Sequence, residues 1–171
     1  MMRGYLRLAL PLVVTLWAAE LHAEQLEDGV NSFNGYILES PASEFESLNA
    51  VEHYSTEFVQ DVTVYEKRGE LLILDAVPLK TVRYRFANGL LESIQLTYEG
   101  RDNREELLGW IEAHYGRLPS RERKILSQVM WHGEKMLIML NYNRSYDQGT
   151  LWFVSPSLHR EINRTTGSIP D

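Results

Sequence analysis

At 171 residues, with 44% hydrophobic and 24% charged side chains, the chain has the composition of one globular domain rather than of a disordered or fibrous protein. Its net charge of −7 argues against nucleic acid as a partner, because phosphate binding requires a basic surface. The sequence contains no cysteine, which excludes disulfides, thiol catalysis and a lipid-modified N-terminal cysteine.

The first 23 residues follow the order of a secretory signal peptide. Two arginines precede residues 8–19, an uncharged and almost wholly apolar run, and Ala23 is a small residue suited to a cleavage site. The run is about a dozen residues long, whereas a helix that spans a bilayer needs about 20, so a retained anchor and a buried core helix are the weaker alternatives. We predict a signal peptide at residues 1–23, a single domain at residues 24–171, and a periplasmic or secreted bacterial protein with no stable membrane anchor.

A strand and a short helix are predicted at the start of this domain. Residues 33–38 can form the strand. Ser40 and Pro41 are typical of a helix start, since serine caps the backbone and proline fits the first helical position. Phe45 and Leu48 supply a short apolar stripe, so we expect a helix of about two to three turns here.

Strands are predicted next, ending in a β-hairpin. Residues 58–65 alternate in the manner of a strand, and residues 71–74 are consecutive apolar residues typical of a central strand, which Pro78 ends or bends. The clearest local signal covers residues 80–98, where two alternating segments flank an Asn-Gly pair, a strong signal for a hairpin turn.

The register of this hairpin can be predicted from its apolar residues. A two-residue turn sets Val82 opposite Gln95, whereas a three-residue loop sets Val82 opposite Ile94. We predict the three-residue loop, with Gly89 left-handed in a bulge, because it pairs apolar with apolar side chains. Glu92 is then the one discordant residue on the apolar face.

A helix and further strands are predicted in the second half. Asn103 and Glu106 have the spacing of a capping box, an apolar stripe follows as far as Tyr115, and Gly116 fits the position just after a helix. Strands follow at residues 125–131, 136–142 and 151–154, with a helical turn at residues 157–162.

This order of elements predicts an α+β fold. We expect an antiparallel β-sheet of about six to eight strands, built from meander hairpins, with two helices packed on one face. The two halves resemble each other in outline, so two similar helix-plus-meander halves are an alternative organisation.

No catalytic, cofactor or metal signature stands out in the sequence. Four histidines follow residue 23, but none has metal-ligand spacing, and no HExxH, GxSxG or SxxK motif occurs. Adjacent carboxylates such as Glu105 and Glu106 do not face one another on a helix, and the helix dipole explains them better. We therefore predict a non-enzymatic protein with no cofactor and no metal.

The charge distribution predicts a surface for a protein partner. Residues 24–100 hold 14 acidic against 5 basic residues, which would attract a basic partner. The candidate partner-binding residues on such an acidic face are Glu44, Glu46, Glu52 and Glu57. The alternative explanation is export itself, because basic residues just after a signal peptide oppose translocation.

One aromatic residue is a further candidate. Trp152 and Phe153 are neighbours on a predicted strand, so their side chains point to opposite faces of the sheet. If the second face is open, Trp152 is a candidate partner contact, and ordinary packing is the alternative.

Together these features predict an exported periplasmic binding or accessory protein whose partner is a protein of the cell envelope. The sharpest version is an inhibitor or immunity-type protein that uses an acidic face against a basic enzyme. A periplasmic carrier of a small apolar ligand is the alternative, and a hydrolase is a further one.

Overall fold

The computed structural model describes residue 26 and residues 29–55, 59, 61–125 and 127–162. The predicted signal peptide at residues 1–23 lies outside the described residues, and so does Glu57. Among the described residues, no helix is both long enough and apolar enough to cross a bilayer.

Eleven strands and three α-helices make up the described part of the chain. The strands are β1 (Ser32–Phe33), β2 (Tyr36–Ile37), β3 (Leu48–Tyr54), β4 (Val62–Lys67), β5 (Ile73–Leu74), β6 (Val77–Pro78), β7 (Thr81–Ala87), β8 (Leu90–Glu99), β9 (Gln128–His132), β10 (Leu137–Asn143) and β11 (Gln148–Val154). The helices are α1 (Arg101–Tyr115), α2 (Ser120–Arg123) and α3 (Pro156–Ile162).

Seven of the strands form one antiparallel sheet, in the order β3-β4-β7-β8-β11-β10-β9. The strands before α1 form one meander and those after it a second, and the two meanders meet where β8 pairs with β11. The pairs β1–β2 and β5–β6 form separate two-stranded sheets. This architecture confirms the predicted α+β fold with an antiparallel sheet of six to eight strands.

The two faces of the main sheet differ in what covers them. On β7, Tyr84 and Phe86 belong to the same buried cluster as Ile111 of α1. Because strand residues alternate, Arg83 and Arg85 of β7 point away from α1. We call the side of Tyr84 and Phe86 the α1 face, and the side of Arg83 and Arg85 the open face.

Helix α3 lies at the margin of the open face. Its Ile162 joins a small buried cluster with Val59, Val62 and Ala87. Since Ala87 alternates with Phe86 along β7, this cluster lies on the side opposite α1. The helix thus covers the end of the open face near β4 and β7, so α1 and α3 lie on opposite faces of the sheet, whereas the sequence predicts two helices on one face.

The prediction of a helix that begins at Ser40 is wrong. The segment forms only a single 3-10 turn at Ala42–Glu44, and Leu48 already belongs to β3. Phe45 instead packs edge-on against Phe86, with 5.1 Å between ring centroids. A stripe of two apolar residues is too short to stabilise a helix against these tertiary contacts. Only the second half therefore has the order of helix and then meander.

Two of the predicted strands are also placed differently. Instead of the one strand predicted at residues 33–38, residues 32–37 form the small hairpin of β1 and β2. In the run of residues 71–74, β5 pairs only with β6, outside the main sheet. Leu71 is 76% exposed, and of the four residues only Leu74 is buried. Consecutive apolar residues alone do not show whether a segment is central.

The β7–β8 hairpin is present, but its predicted register is wrong. Asn88 and Gly89 both have positive φ, 49° and 78°, and form a two-residue turn. Glu92 is then the extra residue of a bulge, beyond which Val82 lies opposite Leu96. The two-residue turn and the bulge together restore the pairing of apolar with apolar residues that favoured the three-residue loop.

Helix α1 agrees with its prediction, and Gly116, with φ 101°, follows its last residue. The predicted capping box is not formed. Asn103 Nδ2 instead donates a hydrogen bond to the carbonyl oxygen of Glu99, which links the start of the helix to the end of β8.

Candidate functional site

Trp152 lies on the open face, next to a residue of the core. Phe153 is fully buried on the α1 face and stacks on Phe33, with 4.1 Å between ring centroids. Trp152 is only partly buried, and its indole Nε1–H donates to Thr150 Oγ1 at 3.0 Å. The guanidinium of Arg85 lies 5.6 Å from the centroid of the Trp152 ring, within the range of a cation–π contact.

Around this side chain the open face forms a pocket of about 230 Å³, which we call the Trp152 pocket. Five strands contribute to it because the register of the sheet aligns their outward residues in two neighbouring rows. The lining residues are Glu52 and Tyr54 of β3, Val64 of β4, Arg83 and Arg85 of β7, Ser93 and Gln95 of β8, and Trp152 of β11.

A fully buried carboxylate holds Arg85 in place at the pocket. Arg85 Nε donates to Glu92 Oε2 at 2.6 Å and its Nη2 donates to Oε1 at 2.7 Å, so both carboxylate oxygens are used. His159 of α3 places Nδ1 2.7 Å from Glu92 Oε1. Burial opposes ionisation of Glu92, but the hydrogen bonds from His159 and Arg85 outweigh it and hold the pKa of Glu92 below its ordinary value.

The other charged side chains of the pocket differ in whether they have an ion-pair partner. Arg83 Nε donates to Glu66 Oε1 at 3.1 Å, and both side chains are partly exposed. Each arginine of the pocket thus has its own carboxylate. Glu52, in contrast, makes no ion pair with any residue in the described ranges. The pocket therefore presents one unmatched negative charge, that of Glu52 on β3.

The fold brings two of the predicted partner-binding residues together. Glu52 and Trp152 are separated by 100 positions in the sequence and line the same pocket. Glu44 ends the 3-10 turn and Glu46 follows it before β3, and both are exposed outside the pocket lining. Glu57 lies outside the described residues.

Sequence reasoning did not identify Arg85, Ser93, Gln95 or His159 as residues of this region. The one available signal was Glu92, a charged residue at an apolar position of an otherwise regular strand. A carboxylate at such a position needs a buried partner, which points to a nearby arginine or histidine.

Two further polar groups outside the pocket, His114 and Ser155, have structural roles. Within the ranges that the structure covers, no group of three His, Asp or Glu side chains could hold a metal ion. The His114 ring stacks on Trp110 with 4.3 Å between centroids. Ser155 Oγ donates to Glu39 Oε1 at 2.7 Å and accepts the backbone N–H of Leu158 at 3.3 Å, so it caps α3.

Comparison with models of protein families, with curated proteins and with solved structures found no match for this chain. The chemistry of the site is therefore the basis for assigning a function.

Proposed function

We propose that this chain is an exported, non-enzymatic binding protein of a bacterial cell envelope, and that the Trp152 pocket receives a lysine or arginine side chain of a protein partner. The observation that carries this proposal is that Glu52, with its unmatched carboxylate, and Trp152 line one pocket. A long basic side chain can pair its charged end with a carboxylate while its apolar stem packs on an indole ring.

The remaining charged residues of the pocket are compatible with a cationic ligand. Arg83 and Arg85 are each paired with a carboxylate, which reduces their repulsion of an incoming cation. The bidentate contact with buried Glu92 fixes Arg85 against the wall of the pocket. The net charge of −7 adds a long-range attraction for a basic protein.

An inhibitor or immunity-type protein that neutralises a basic enzyme is the sharpest version of this proposal. In that version Glu52 and Trp152 supply the direct contact. Glu44 and Glu46, which are exposed outside the pocket, speed the encounter through their charge and touch no central residue of the partner.

A carrier of a small apolar ligand has less support. A cavity beside Phe33, Leu74 and Leu79, whose lining also contains polar residues, measures about 20 Å³, which is room for about one water molecule. The Trp152 pocket is larger, but most of its lining side chains are charged or polar.

The proposal is tested with small probes and with the natural partner. Amidated N-acetyl-lysine, N-acetyl-arginine and N-acetyl-glutamate are titrated into the purified protein while the indole N–H resonance of Trp152 is followed by NMR. We expect the two basic probes to shift this resonance and the acidic probe to leave it unchanged. Capture of a partner from periplasmic extract should fall at least tenfold in Trp152→Ala and in Glu52→Gln, and should weaken as salt increases.

Glu44→Gln is the matched control, because it removes one exposed negative charge outside the pocket. It should reduce capture less than twofold. Equal capture by Trp152→Ala, Glu52→Gln and the unaltered protein would contradict the proposal. A larger shift with the acidic probe would contradict it too, and would identify an anion site built on Arg83.

A further inference from the structure

Beside the Trp152 pocket, the open face carries a set of uncharged polar side chains near the turn between β10 and β11. The register pairs Asn141 with Thr150 and Asn143 with Gln148, so two neighbouring strands project four such side chains on the same side. They border a shallow groove of about 730 Å³, which we call the amide groove. Thr150 connects the two sites, since its Oγ1 accepts the Trp152 indole N–H.

Several donors and acceptors of these side chains have no hydrogen-bond partner among the described residues. Among the described residues, Gln148 makes no side-chain hydrogen bond, and Asn143 uses only its Oδ1, which accepts the N–H of Ser145. Asn141 makes one long contact, 3.4 Å from Nδ2 to Thr150 Oγ1. A carboxamide both donates and accepts. Two carboxamides at neighbouring positions therefore match a pair of hydroxyl groups, each of which also donates and accepts.

The rest of the groove suits a hydroxyl-rich ligand. Tyr146 is 79% exposed at the turn and offers a flat ring against which the C–H face of a sugar can lie. Among the described residues that line the groove, Arg144 is the one that is charged, and the Asp147 carboxylate next to the lining is already engaged by the Tyr142 hydroxyl. The spacing of outward residues is about 5 Å across the strands and about 7 Å along them, which is the size of one sugar ring.

A peptide strand fits this surface less well. Strands that bind by extending a sheet pair with the free backbone groups of an edge strand. Both β10 and β11 are interior strands whose backbone groups already pair with β9 and β8. The ligand of the amide groove must therefore be recognised by side chains.

We propose that the amide groove binds a neutral oligosaccharide, with Asn141, Asn143 and Gln148 bonding to hydroxyl groups of one ring and Tyr146 stacking on it. This site is independent of the protein partner proposed for the Trp152 pocket. It gives the open face two neighbouring binding functions.

The test uses the purified protein labelled with ¹⁵N, with chitotriose and maltotriose as neutral probes and trigalacturonate as an acidic one. The side-chain amide resonances of Asn141, Asn143 and Gln148 are followed up to about 10 mM of each probe, which detects millimolar affinity. We expect at least one neutral trisaccharide to shift all three resonances. The dissociation constant should rise at least fivefold in Tyr146→Ala and in Gln148→Ala.

Gln95→Ala is the matched control, because it removes a carboxamide from the Trp152 pocket and leaves the amide groove unaltered. It should leave the dissociation constant within twofold, as should Glu52→Gln, which removes partner capture under the first proposal and does not touch the groove, so that failure of this proposal is distinguishable from failure of the other. Absence of shifts with both neutral probes, or shifts unchanged in Tyr146→Ala and Gln148→Ala, would overturn the proposal. Shifts of these resonances with tetra-alanine but with no trisaccharide would overturn it in favour of a peptide site.

Discussion

Glu92 owes its position to a break in the alternation of β8. As the extra residue of the bulge, it directs its carboxylate to the side of Arg85 while the strand beyond it keeps its apolar residues on the α1 face. The buried carboxylate then orients Arg85, which lies over Trp152. One local irregularity thus determines the geometry of the pocket wall.

Replacing this carboxylate should be costly. Glu92→Gln leaves Arg85, whose side chain is 18% exposed, without a counter-charge, and we expect a loss of about 3 kcal/mol in the free energy of unfolding. Glu66→Gln is the matched control, because it breaks the partly exposed pair with Arg83 and should cost less than about 1 kcal/mol. Urea denaturation at neutral pH measures both. Similar losses for the two variants would show that burial does not strengthen the Glu92 pair.

The effect of Glu92→Gln should also depend on pH. The pKa of Glu92 is lowered in the folded protein, so its carboxylate contributes stability that is present above the ordinary value of 4.5 and is lost as the pH falls through the folded value. The stability difference between the two proteins should therefore be constant above about pH 5.5 and shrink below about pH 4.5. A difference that stays constant down to about pH 3 would contradict this sign.

At the scale of elements, the join between the two meanders depends on one glycine. The register of β8 and β11 sets Gly149 opposite Tyr98, whose ring lies across the glycine and whose hydroxyl donates to the carbonyl oxygen of Asn141 at 2.8 Å. A Cβ atom at residue 149 would lie 2.2 Å from Tyr98 Cζ and 2.5 Å from the Asn141 oxygen. The missing side chain is therefore part of the packing at the centre of the sheet.

We expect Gly149→Ala to destabilise the protein by about 3 kcal/mol, because the added methyl group must displace a buried ring and a backbone carbonyl. Gly109→Ala is the matched control, since residue 109 lies on the exposed side of α1 with nothing within 4 Å of an added Cβ. It should stabilise the protein by about 0.5–1 kcal/mol through helix propensity. Thermal unfolding measures the stability of both variants. A similar loss of stability in both would show that the effect of Gly149→Ala does not come from its close contacts on β11.

On the scale of the whole molecule, one face of the sheet holds the core and the other carries both proposed binding sites. The α1 face is filled with buried apolar and aromatic side chains. The open face carries the Trp152 pocket and the amide groove, which share Thr150 as a link. Because strand residues alternate, two neighbours in the sequence can belong to these two different regions.

Substitutions at Trp152 and Phe153 can measure the difference between the two faces of the sheet. Phe153→Ala should cost about 3–5 kcal/mol of unfolding free energy, since the ring is fully buried and stacks on Phe33. Trp152→Ala should cost less than about 2 kcal/mol, because that ring is partly exposed. Guanidinium denaturation of the two variants compares them directly. Equal losses would indicate that Trp152 is a core residue rather than a recognition residue.

The sequence by itself determined the elements whose signals are local. The Asn-Gly turn, the alternation of β7 and β8, the stripe of α1 with its terminal glycine, and the α+β class all follow from neighbouring residues. It was also predictable that the side chains of Trp152 and Phe153 point to opposite faces, because this follows from the twofold period of a strand alone.

Only the tertiary structure decided the register at Glu92, the absence of the helix predicted at Ser40, and the placement of Glu52 and Trp152 in the lining of one pocket. Each of these depends on side chains that are distant in the sequence. A bulge is chosen when the gain from pairing apolar rows across strands exceeds the cost of one irregular residue. A pocket exists only where the order of strands aligns residues of several strands, and strand order is a property of the whole sheet.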